Sequence, residues 1–125
     1  MEGIRDISNS DDVKVFVARF YADITTHPAL GPFFTGLDLE EHLPRIRAFW
    51  EMILFGNTGY GTNVMEVHAL LHAQHPITTE HFQLWLMAFE RTMRSLFAGP
   101  KADEAIQRAR AIAEVMRFKL NATAR

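Results

Sequence analysis

Apolar residues along this chain recur at the three-and-four spacing of buried helix stripes, and helix breakers interrupt that rhythm at a few points. Val13, Phe16, Val17, Phe20, Tyr21 and Ile24 form the first stripe. Ser10-Asp11-Asp12 opens it with a capping residue and first-turn acids, and it ends near His27-Pro28. The stretch from His27 to Phe34 holds two prolines and a glycine, so it cannot continue as helix. Its paired Phe33 and Phe34 must pack on something, either the helical core or the edge of a cofactor. Asp38, with Glu41 three residues on, is a capping pair for a second helix that runs to about Phe55 before Gly56-Asn57 stops it. His42, Ile46, Phe49 and Ile53 share one face of that helix, and Leu43, Trp50 and Leu54 widen it. Pro44 removes a backbone donor near its start, which predicts weakly held backbone at His42.

A loop over residues 56–61 leads to a short helical pattern from about Asn63 to Ala73, ended by His75-Pro76. Thr78 or Thr79 then caps a long helix with the stripe Phe82, Trp85, Leu86, Phe89, Met93, Leu96 and Phe97, closed by Gly99-Pro100. The last helix, about Ala102 to Leu120, turns the mostly small residues Ala105, Ala109, Ile112, Ala113 and Met116 inward. There is no strand pattern, repeat or linker. The expectation is an all-α fold, four main helices and one short one, in a single domain over 1–125 with residues 1–9 irregular.

Composition narrows the chemistry. A chain of 125 residues builds one core with room for a medium-sized ligand. Hydrophobic residues at 48% and charged residues at 22% describe a globular chain, and no apolar run reaches membrane-span length. The first ten residues lack an apolar signal core, so the cytoplasm is the expected location. A net charge of -2 offers no general basic face, and no nucleic-acid partner is expected. With no cysteine, disulfides, thiolate ligands and thioether attachment are excluded.

Four of the six histidines fall between Tyr60 and Phe89, and two of them, His68 and His72, stand one helical turn apart. Zinc would need a third and fourth ligand, and Glu66 faces elsewhere. No Gly-x-Ser-x-Gly turn or phosphate-cradling glycine loop is present. Ten phenylalanines, two tryptophans and six methionines suit the lining of a flat apolar cofactor, and neutral imidazole is the common axial ligand of haem iron. Tyr21 is either a core tyrosine satisfied by a backbone carbonyl or a hydroxyl aimed at a ligand. His42 is either a snorkelling residue at the end of an aromatic face or a ligand contact. Pattern alone leaves open a haem protein, a weak zinc site and a non-haem helical interaction module.

The ordered set is more specific than its parts. Phe20-Tyr21, Leu30-Gly31-Pro32-x-Phe34, His42-Leu43 followed by Ile46 and Phe49-Trp50, Tyr60-Gly61, Met65-x-x-His68 and Glu80-His81-Phe82-x-x-Trp85-Leu86-x-x-Phe89 resemble the truncated globins of the third group, small bacterial haem proteins. The resemblance covers nearly all of the chain after residue 12. It implies a globin-like two-on-two helical sandwich with a short proximal helix, around a non-covalent haem b. It implies His68 as proximal iron ligand, Tyr21 and Trp85 as distal hydrogen-bond donors, and His42 as the distal gate. Ile46, Phe49 and Trp50 would form the pocket wall, Phe34 would pack on the porphyrin, and Arg45 would suit a propionate. The implied function is binding of oxygen or another diatomic ligand at a pentacoordinate-type iron. The same pocket could instead serve a haem enzyme, a nitric oxide dioxygenase or a peroxidase-like activity, with a reductase as partner. Three features depart from the family pattern. The loop between His68 and Phe82 is longer, so that counting back from Trp85 points nearer His72. Leu39 stands where a tryptophan often precedes the distal histidine, and Pro44 lies inside the distal helix.

Overall fold

In the computed structural model, residues 4–34, 38–56 and 78–123 are described, with side chains as far as Phe118. They form α1 (Ser10–Thr26), a 3-10 turn (Gly31–Phe34), α2 (Leu39–Phe55), α3 (Thr79–Leu96) and α4 (Pro100–Thr123). The short helix expected between residues 63 and 73, with Tyr60, His68 and His72, lies outside the described residues.

The helices start where the sequence places them with two exceptions. Asn9 caps α1, its Oδ1 accepting from the Asp12 N–H at 2.9 Å, one residue before the expected Ser10. Asp38 caps α2, accepting from the backbone of Glu40 and Glu41, and Gly56 closes that helix in the left-handed region at φ 73°. The second exception is α4, which begins at Pro100 rather than Ala102. Proline at the first helical position has no N–H to satisfy. The next two amides, of Lys101 and Ala102, donate to Asp6 at 2.8 and 2.9 Å. The cap of α4 thus comes from the far end of the chain. Pro44 sits within α2 without breaking it. The His42 amide still reaches the Asp38 carbonyl at 3.0 Å, so the donor lost to Pro44 is the one the Glu40 carbonyl would have received.

α1 packs against α2, α3 and the 3-10 turn, while α4 packs against α3 and α2. Phe16, Phe89, Ile24, Met93, Val13 and Val17 are wholly enclosed between these layers. The rings of Phe16 and Phe89 meet edge-on at 4.8 Å. Ala105 and Ala109 of α4 are equally enclosed, and their short side chains let α4 approach α3 closely. The irregular N-terminal segment is also tied down. Ile7 is buried in the core, the Arg5 guanidinium grips Asp12 at 2.6 and 2.5 Å, and the Ser8 amide donates to the same carboxylate at 2.9 Å. These bonds, the one from Arg5 foremost, lower the Asp12 carboxyl to about 2.

Burial along α2 is lopsided in a way that pattern did not foretell. Trp50 and Leu54 are its buried residues, whereas His42, Leu43, Ile46, Phe49 and Ile53, the face with the clearest stripe, are half-exposed. Leu84, Trp85 and Leu86 of α3 are also half-exposed. Large apolar side chains left partly open on helices with well-formed cores indicate a surface built to be covered.

Candidate functional site

Tyr21 is the centre of that surface. It lies in the last third of α1 on the buried stripe and is 8% exposed. Its hydroxyl meets His42 Nε2 at 3.3 Å, and the two rings lie edge to face at 5.4 Å. The hydroxyl therefore finds an imidazole on the neighbouring helix. His42 is half-buried and directed inward, its position fixed by the Asp38 cap only four residues earlier.

Phe34 approaches the Tyr21 ring edge-on at 5.7 Å from the 3-10 turn. Gly31 makes that turn feasible, because a Cβ there would stand 2.7 Å from the Thr25 carbonyl oxygen. On the other side Phe20 stands between the two candidate donors, 5.7 Å from Tyr21 and 5.6 Å from Trp85, in edge-to-face contact with each. Trp85 also lies against Phe89 at 5.5 Å. Tyr21, His42, Phe34 and Trp85, distant in sequence, are thus joined through one aromatic network.

The remaining expected residues divide. Ile46 and Phe49 are half-buried on the face of α2 that begins with His42. Trp50 is turned into the core, 5.0 Å from Phe89. Arg45 is exposed and paired with Glu41 at 2.7 Å, at the outer edge of the same helix. His68 lies outside the described residues. Leu43 and Leu86, read from the pattern as stripe residues, are half-buried, as is Leu39; Phe20 was read as a stripe residue and not as the ring that joins the donors. Phe20 was readable as core but not as a bridge, since bridging needs the packing of α1 on α3.

A flat apolar group with a polar reacting face fits these residues. Phe34, Ile46, Phe49 and Trp85 come from three separate elements and offer partly open apolar surface, while Tyr21 and His42 supply neutral hydroxyl and imidazole groups. No buried side-chain nitrogen or oxygen among the described residues lacks a hydrogen-bond partner.

Comparison with known proteins agrees with this geometry. The family model of bacterial-like globins matches residues 6–121. The group 3 truncated haemoglobin of Campylobacter jejuni is 26% identical over 111 residues, which is 84% of this chain and 85% of the relative. The crystal structure of a group III truncated haemoglobin from the same organism superposes with a TM-score of 0.82 at 26% identity, over 90% of this chain and 91% of that one. Chlamydomonas reinhardtii THB1 gives a TM-score of 0.72 at 25% identity, covering 90% of this chain and 92% of that one. The truncated oxygen-avid haemoglobin of Bacillus subtilis, 23% identical over 86% of this chain and 92% of its own, shares the fold with a TM-score of 0.72. The half-covered apolar face, the tyrosine and histidine at its head and the family match over nearly the whole chain have one common explanation: this chain is a member of the bacterial-like globin family, with the fold of the truncated haemoglobins, and as such a haem-binding globin.

Proposed function

We propose that this globin binds oxygen or another diatomic ligand at a haem b held by His68, with Tyr21, His42 and Trp85 forming the distal side. The observation that carries the reading is the Tyr21–His42 pair, 3.3 Å apart, at the head of a half-covered aromatic face. Haem, when bound, supplies an iron with an open coordination position for the ligand.

The chain's own residues do the rest. Ile46, Phe49 and Phe34 offer apolar surface to the macrocycle and exclude water from its distal face. Tyr21 and Trp85 are donors, and a polarised diatomic ligand with partial negative charge is held more strongly by a donor in a water-poor pocket than in solvent. His42 sets what Tyr21 can offer. When the proton is on His42 Nε2 the imidazole donates to the Tyr21 oxygen and leaves the phenolic proton for the ligand; in the other tautomer Tyr21 donates to His42 instead. Swinging His42 outward would also open a path to the site, the role of a gate. Arg45, exposed and paired with Glu41, would meet a propionate at the rim of the site.

The test begins with an absorption spectrum of the purified protein, where a Soret band is expected. His68→Ala should then lose haem or its axial ligation while His72→Ala keeps both. Retention in His68→Ala with loss in His72→Ala would move the ligand one turn along the chain.

A further inference from the structure

We infer that His81 is a positioning residue and an acid-sensitive latch, whose neutral ring closes the cap of α3 and packs on Phe33, holding the end of α3 that carries Trp85 to the turn that carries Phe34. The consequence at the site rests on the function proposed for Trp85; the latch itself rests on contacts of described residues.

Three bonds close this cap. The Thr78 N–H donates to His81 Nδ1 at 3.0 Å, the Thr78 hydroxyl lies 3.1 Å from the same nitrogen, and the His81 N–H donates to the Thr78 hydroxyl oxygen at 3.2 Å. This is a capping box with histidine at its third helical position, where glutamate or glutamine is the usual closing residue. A backbone N–H can only donate, so Nδ1 must be the unprotonated nitrogen and the ring proton must sit on Nε2. A glutamine would accept at any pH. Histidine accepts only while neutral: a second proton enters on Nδ1 and places one donor against another. The added positive charge also sits in the first turn of α3, where the helix dipole opposes it. Both effects open the cap.

The latch has a second attachment. The rings of His81 and Phe33 meet edge to face at 4.9 Å, and Phe33 belongs to the same 3-10 turn as Phe34, which packs on Tyr21. Trp85 follows His81 by one helical turn and lies against Phe20. His81 thus joins two edges of the site that no helix connects. Among the described residues, the charged groups at this end are few. Glu80 is its neighbour on α3, and the 3-10 turn contributes none. Along α4, Arg110, Glu114 and Arg117 border Thr79 and Phe82, with Arg117 paired to Glu114 at 2.8 Å and Arg110 to Glu90 at 2.7 Å. Glu66, His68, His72 and His75 lie outside the described residues, and their titration is common to the wild type and its His81 variants.

The experiment compares wild-type holoprotein with His81→Gln and His81→Ala by hydrogen exchange of the amides from Thr78 to His81, corrected for intrinsic rate, at about pH 7.5 and about pH 5.5. Wild type should lose roughly threefold to tenfold of its protection there on acidification, as expected for loss of a cap. His81→Gln should keep its protection at both values, and His81→Ala should be low at both. Equal acid loss in His81→Gln, or constant protection in wild type, overturns the latch. If His81→Ala does not fold, the glutamine variant decides alone. Oxygen release from the same proteins reads the consequence at the site: it should quicken in acid for wild type more than for His81→Gln. Equal behaviour there, with the exchange pattern as expected, overturns the positioning role. Failure of the haem reading itself is separately visible as the lack of a Soret band, and the exchange comparison still decides the latch.

Discussion

Tyr21 carries one hydroxyl proton, and His42 lies 3.3 Å from its oxygen, so the strength with which this pocket retains a ligand depends on how that proton is shared. Tyr21→Phe keeps the ring and its edge contacts with Phe20 and Phe34 while deleting the donor. A hydrogen bond with one charged end is worth about 1.5–3 kcal/mol, so oxygen release should quicken about tenfold to hundredfold, read by stopped flow. Carbon monoxide, a poorer acceptor, should respond less. An unchanged oxygen off-rate would make Tyr21 a core tyrosine whose hydroxyl merely finds a partner on α2.

Among the elements, α4 depends most on a residue far away. Asp6 receives the amides of Lys101 and Ala102, and Gly99 makes room for it: a Cβ at Gly99 would stand 2.6 Å from the Asp6 Cγ, and the glycine holds φ at 151°. Asp6→Ala should cost about 1 kcal/mol of unfolding free energy, as removal of a helix cap generally does, whereas Asp6→Asn keeps an acceptor and should cost less. Denaturant unfolding measures both. Equal stability of the alanine variant and wild type would mean that water replaces the cap without cost. The same element explains why the start of α4 was misplaced by two residues from sequence. Pro100 is a good first residue only if the next amides have an acceptor, and Gly99, in the capping position, has no side chain to supply one.

For the whole molecule, the tie between Arg5 and Asp12 fastens the N-terminal segment over the core and leaves a pH signature. The Asp12 carboxyl is lowered from 3.8 to about 2 in the fold, chiefly by the Arg5 hydrogen bond. A depressed acid favours the fold when ionised. Its contribution is therefore fully present above about pH 4 and disappears as the pH falls towards about 2, a change on the order of 1–2 kcal/mol. Asp12→Asn should be less stable than wild type by about that amount near neutral pH, with the two curves converging in acid. Parallel curves at all pH values would show that the carboxylate's charge plays no part.

The sequence by itself determined the four described α-helices, because the three-and-four stripes, the threonine and aspartate caps and the Gly-Pro breaks are local properties that act within a turn or two. It also carried the family pattern, and with it Tyr21, His42, Phe34 and Trp85 as candidates, since these types recur at fixed spacing. Tertiary structure decided which way each faces. Trp50 and Phe49 are neighbours on one helix, yet the first packs on Phe89 in the core and the second stays half-open, a choice made by how α2 lies on α1 and α4. Arg45 could reach inward or outward, and Glu41, one turn back, holds it at the rim. The Asp6 cap, the Phe20 bridge and the His81–Phe33 contact join segments 95, 65 and 48 residues apart, counted from Asp6–Lys101, Phe20–Trp85 and Phe33–His81. Such pairings follow from packing across the core, and no local pattern encodes them.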